Sequence, residues 1–131
     1  MNWSLIFRLS LFGLFMAFAT ITIIPVRIEP ICWAVIFLIC AYIIAMRCKS
    51  KFFLHGLLVS LVNSVWITAA HFIFFDQYMN HHQNMATVNA QFPAGTNPRF
   101  LMLAFGPLYG AASGLLLGLL AFAGSRLVKR P

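Results

Sequence analysis

The sequence predicts an all-α integral membrane protein, four transmembrane helices in a bundle with the N-terminus and the C-terminus both cytoplasmic. Three observations predict it. Of the 131 residues, 62% are hydrophobic and only 8% are charged, and the mean hydropathy is +0.90. A soluble domain of this length could not bury so much apolar surface. The apolar residues fall into four long runs, each near the ~20 residues that a ~30 Å hydrocarbon core requires. The formal charge of +7 comes from nine Lys and Arg against two acids, Glu29 and Asp76. In a soluble protein that charge would suggest nucleic acid. Here the cations gather at the ends of apolar runs, so a bilayer is the expected partner and nucleic acid is not.

Residues 1–131 read as a single four-helix membrane domain. The first span covers about residues 5–25, apolar without interruption from Leu9 to Ile24 and ended by Pro25. Its basic start, apolar core and Ala17-Phe18-Ala19 fit a cleavable signal peptide. The apolar run continues past that point through Thr20 to Ile24, so a retained signal anchor is expected. Ser10, Gly13, Ala17 and Thr20 give this span a small-residue face.

Pro25 to Pro30 form a tight turn, and Glu29 beside the next helix start meets the positive end of its dipole. The second span covers about 30–47 and closes on Arg47, Lys49 and Lys51. Cys32, Cys40 and Cys48 all fall on it or at its end. Their eight-residue spacing separates neighbours by ~12 Å along a helix, beyond the ~7 Å a disulfide tolerates. They read as small buried thiols.

The third span, about 52–76, is the most polar. Gly56, Ser60, Ser64 and Thr68 recur at every fourth position, with Asn63 beside them. His55 stands near its start and His71 near its end. The helix is expected to run on through Asp76 toward Met85. An outer loop spans 77–98, with Pro93, Gly95 and Asn97 as turn residues. Asn97 and Pro98 then form an N-cap and first-turn proline for the fourth span, about 99–125. Pro107 inside it removes the bond to the Leu103 carbonyl, which predicts a kink.

The fourth span carries a glycine zipper: Gly106, Gly110, Gly114 and Gly118, widened by Ser113 and Ala121. Each helical residue turns by ~100°, so a four-residue step returns to nearly the same face. In lipid, association rests on close van der Waals approach, which small residues permit. The expected partner face is Gly56, Ser60 and Ser64 of the third span, since adjacent elements usually pack together. In a competing arrangement the stripe faces another copy or a partner.

Orientation follows from charge. With the N-terminus inside, the inner side holds Arg8, Arg47, Lys49, Lys51, Arg126, Lys129 and Arg130, and the outer side holds Arg27 and Arg99. That bias predicts a multi-pass protein of a cell membrane, the bacterial inner membrane first among them. Trp3 then falls at the inner interface, and Trp33, Tyr78 and Tyr109 near the outer one.

Little in the sequence carries chemistry. His71, Asp76, His81 and His82, with Met79 and Met85, make the outer end rich in donor atoms that suit copper or zinc. No ligand pair of the His-x-x-x-His kind occurs, so these are candidates and no bound metal is expected. Haem would need facing histidines on two helices, and no cofactor is expected. His55 and Asn63 are the polar side chains within the membrane, read as hydrogen-bonded glue between helices. No carboxylate lies at mid-membrane, against the proton coupling of small four-span multidrug exporters. Ser113 lacks the Gly-x-Ser-Gly setting of rhomboid proteases, no His-Glu-x-x-His is present, and Cys-x-x-Cys is missing. The expectation is therefore a non-enzymatic subunit or helper that packs with itself or with a larger membrane partner. The alternative is a small homo-oligomeric transporter or channel with a path past Asn63. An outward-facing metal-handling protein comes third.

Overall fold

A computed structural model describes residues 1–83, 87–88 and 90–129. Met85 and Arg130 lie outside the described residues. The described residues form no strand, and their regular structure is five helices: α1 (Trp3–Thr22), α2 (Glu29–Arg47), α3 (Phe52–Ile73), α4 (Phe75–His81) and α5 (Pro98–Leu127). All but α4 are long and apolar enough to cross a membrane.

Local chemistry sets the ends. The Asn2 side chain accepts the Leu5 N–H and caps α1. Glu29 and Pro30 open α2, acid and proline both suited to a first turn. Lys51 takes a left-handed conformation (φ 56°) that turns the chain tightly into α3. Asn97 accepts the Arg99 N–H and caps α5, with Pro98 in the first turn. Pro107 lies inside α5, which continues through it.

The helices run up and down. Asn2 meets His55 and Thr20 meets His71, so α1 and α3 are parallel. Gly118 meets Gly56 and Gly106 meets Thr68, so α3 and α5 are antiparallel. Both ends of the described chain and the α2–α3 turn therefore share one end of the bundle, called here the basic end. The opposite, loop end carries α4 and the first turn of α5.

Helix α3 is central, flanked by α1 and α5. Ser10, Gly13, Ala17 and Thr20 of α1 are all buried. Ser10 accepts the Trp66 indole N–H (3.1 Å). On the other flank, a Cβ built on Gly56 would stand 2.7 Å from the Gly118 Cα, and one built on Gly118 would stand 2.8 Å from the Phe53 carbonyl oxygen. The two backbones touch there. Ser60 and Ser113 hydrogen-bond across the same interface at 2.7 Å.

Helix α2 packs on α5 at the basic end, where Ala41 and Ala45 approach Gly124. The main core joins Ile6, Leu9 and Met16 of α1 with Phe37, Cys40 and Ile44 of α2, Val59 of α3 and Leu117 of α5. The outward faces are apolar as well, with Phe15, Leu38, Leu116 and Leu119 exposed.

One element differs from expectation. The third span does not run on through residue 76 and beyond. Helix α3 ends at Ile73, Phe74 leaves helical geometry (ψ 38°), and α4 begins at Phe75. In a continuous helix Tyr78 would sit ~10 Å along the axis from His71, seven residues at ~1.5 Å each. The break folds Tyr78 back so that the two rings stack at 4.0 Å.

Candidate functional site

A cleft of about 700 Å³ occupies the loop-end half of the bundle, between α2 on one side and α3 and α5 on the other. Its position follows from side-chain size. The small face of α5 brings it close to α3, whereas α2 carries Trp33 and Phe37 where it would have to approach. Trp33, Phe37, Met102 and Phe105 supply apolar wall, and Ser60, Asn63 and Ser113 stand toward the basic end. Glu29, His71 and Tyr78 also line it, toward the loop end.

Most polar groups near the cleft already have partners. Ser60 and Ser113 bond each other, and Ser113 also donates to the Tyr109 carbonyl. Ser64 donates to the Leu61 carbonyl. Asn63 differs. It is 2% exposed, and neither Nδ2 nor Oδ1 has a hydrogen-bond partner among the described residues. Its amide lies against Gly13 of α1, where a Cβ would stand 2.5 Å from Oδ1. Gly13 thus leaves the room that the Asn63 amide occupies.

The loop end is tied by rings. Tyr78 is stacked on His71 at 4.0 Å and on His82 at 4.2 Å. His82 is buried beside Glu29, Nε2 to Oε2 at 3.1 Å, so α4 grips the first turn of α2. Its Nδ1 lies 3.2 Å from the Tyr78 carbonyl oxygen. His81 reaches the Ile24 carbonyl at 2.9 Å. Burial above all, then the nearby Glu29 and Tyr109, pushes the Tyr78 phenol up to about 12. Tyr78 was expected at the outer interface with Trp33 and Tyr109. It is instead buried between the two histidines, because the turn at Phe74 carries it inward, while Tyr109 is 74% exposed on α5 and Trp33 is half-buried on the cleft.

The structure places the metal candidates apart in role. His71 lies 3.4 Å from the Thr20 hydroxyl. Asp76 is exposed and faces Arg99 at 4.0 Å. Among the described residues no group of three or more His, Cys, Asp or Glu side chains could hold a metal ion. His55 is buried at the basic end, its Nε2 accepting the Asn2 N–H and its Nδ1 donating to the Lys51 carbonyl. Gly106, Gly110, Gly114 and Gly118 lie against Thr68, Ser64, Leu57 and Phe53 of α3 respectively.

Sequence reasoning did not find the cleft or the Glu29–His82 pair, whose members are 53 residues apart. The one available signal was Glu29 itself, one of only two acids in the chain. The chain matches no protein-family model, no curated protein and no solved structure.

Proposed function

We propose that this chain is a multi-pass protein of the bacterial inner membrane with both termini cytoplasmic. It serves as a non-enzymatic subunit or helper that packs with itself or with a larger membrane partner. The observation that carries this reading is how the potentially reactive side chains are used. His55, His71, His81, His82 and Ser113 each make hydrogen bonds that join or end helices. Gly106, Gly110, Gly114 and Gly118 of α5 are occupied by α3, so a partner would meet the outward faces, such as Phe15 of α1 or Leu116 and Leu119 of α5. Extraction in mild native detergent tests it: a stoichiometric complex, with itself or another membrane protein, is the expected result. A monodisperse monomer that brings down nothing would count against it.

A second reading is favoured by the cleft. A small transporter would use the polar face of α3, and that face points inward, so the path would lie within one chain. Solute or ion flux in liposomes containing only this protein distinguishes it from the helper reading.

A further inference from the structure

We propose that the groove between α1 and α2 at the basic end binds the phosphodiester head of an anionic phospholipid, held by Arg8 and Arg47. The inference rests on the multi-pass reading, but not on the helper role or on which side of the membrane the basic end faces.

The groove is a space of about 380 Å³ lined by Leu5 and Arg8 of α1 and by Tyr42, Ile43, Met46 and Arg47 of α2. Arg8 stands in the second turn of α1 and Arg47 in the last turn of α2. Both are therefore close to a helix end, the depth at which lipid head groups meet the hydrocarbon. The volume is at the small end of the ~300–1,000 Å³ of ligand sites. It has room for a head group and not for whole acyl chains.

Charge decides what enters. The only two acids of the chain are Glu29 and Asp76. Both stand at the loop end, where Glu29 meets His82 and Asp76 faces Arg99. Arg99 also lies over the Phe72 and Phe75 rings, and Arg126 over Phe122. Arg8 and Arg47 are exposed and have neither an ion pair nor a ring contact among the described residues. Two like charges on one groove repel each other, and an anion between them removes that cost. The planar guanidinium matches two phosphate oxygens at once, and the exposed Tyr42 hydroxyl can donate to the same group. A zwitterionic head would bring an ammonium as well, and no side-chain carboxylate stands at this end to receive it.

The surroundings favour a lipid over a free phosphate. Phe15, seven residues beyond Arg8 and on the same face, is exposed. Leu38 and Ile39, four residues before Tyr42 and Ile43, are exposed too. An apolar track thus leads from the groove toward the middle of the bundle, where acyl chains would lie. Basic pockets between membrane helices hold anionic lipid heads in this way.

The test uses the full-length protein, purified in mild detergent and stripped of lipid. It is titrated with phosphatidylglycerol or with phosphatidylcholine of the same chains, and native mass spectrometry counts the lipid retained. One phosphatidylglycerol should be held, and phosphatidylcholine much more weakly. Arg8→Gln with Arg47→Gln should weaken phosphatidylglycerol binding ~tenfold or more, as loss of a charge-assisted hydrogen bond implies. Lys49→Gln with Lys129→Gln removes the same charge from the same end outside the groove and should leave binding unchanged. Met46→Trp fills the groove with every charge kept. It should weaken binding too, and it decides the matter if the double arginine variant does not fold. Equal retention of phosphatidylcholine, undiminished binding in a folded double arginine variant, or an equal loss in the lysine variant would overturn the site. Glycerol 3-phosphate that competes as well as the lipid would overturn the lipid source. Carbonate extraction of cell membranes reports separately on the multi-pass reading. A chain that stays in the washed membranes but shows no lipid preference loses this site alone.

Discussion

Adding one methyl group at Gly56 should destabilise this bundle, and adding the same group at Gly124 should not. A Cβ on Gly56 would lie 2.7 Å from the Gly118 Cα and N and from the Leu117 carbonyl oxygen. All three are backbone atoms of α5, so no rotamer change can relieve the contact and the helices must separate. Overpacking of a well-packed interface costs ~1–3 kcal/mol, and a backbone clash belongs at the upper end. Replacing a helical glycine by alanine returns ~1 kcal/mol of propensity. The difference is a net loss of about 2 kcal/mol for Gly56→Ala. At Gly124 the new Cβ would meet only Ala45 Cβ at 3.5 Å and the Ala41 carbonyl at 3.8 Å, ordinary contact distances. Gly124→Ala should therefore gain up to ~1 kcal/mol. The two variants should differ by about 3 kcal/mol. Reversible unfolding in mixed micelles of mild detergent and SDS, followed by tryptophan fluorescence, measures that gap. If Gly56→Ala is as stable as Gly124→Ala, the close approach of α3 to α5 is wrong.

Four further outcomes are expected. Cysteine at Thr87 should react with an impermeant thiol reagent added from outside intact cells, and cysteine at Ser50 should not; the opposite pattern would reverse the orientation. With Cys32, Cys40 and Cys48 replaced by alanine, Ser60→Cys with Ser113→Cys should form a disulfide within one chain, because the native hydroxyls lie 2.7 Å apart; bridges found only between chains would show the stripe to be an assembly surface. The Tyr78 phenol is held up to about 12, against ~10 for a free tyrosine. Its stabilising share is thus complete below pH ~10 and lost as pH rises toward about 12, and an absorbance titration should show a late phenolate step that Tyr78→Phe removes. Purified protein should hold no stoichiometric transition metal by elemental mass spectrometry, and a metal lost in His81→Ala with His82→Ala would restore the metal-handling reading.

Much of the architecture was legible because it depends on local composition. Hydropathy marks four long apolar helices, and Asn97-Pro98 marks the start of α5 through capping chemistry that needs no tertiary information. The four-residue recurrence of small residues is likewise visible in the chain, and the structure sets those residues at the contact between α3 and α5. The end of α3 was not legible. Phe74, Phe75 and Asp76 carry no glycine or proline, and the break there is made by what it brings together: Tyr78 on His71, and His82 on Glu29. Both are tertiary contacts. The polarity of Asn63 was visible as well, but it was read as glue between helices. Its amide instead has no hydrogen-bond partner among the described residues.

The cleft and the glycine stripe have a common origin. Along α2 the side chains change in size. Toward the basic end Cys40, Ala41, Ile44 and Ala45 are buried, and the alanines let α2 lie close to Gly124 of α5. From Glu29 to Val35, toward the loop end, none of its residues is fully buried. There Trp33 and Phe37 face α3 and α5, which are already held together by their own small residues. A helix that packs closely at one end and presents large rings at the other must diverge, and the Glu29–His82 pair limits how far. Space therefore opens beside Asn63 and not beside Ala41. Shortening the rings should let α2 close the gap: Phe37→Ala would bring it toward Ser60 and shrink the cleft from its inner end. Loss of His82, by contrast, would free the first turn of α2 and widen the mouth. These opposite responses would be read as a falling and a rising accessibility of a cysteine placed at Met102, a residue of the cleft wall.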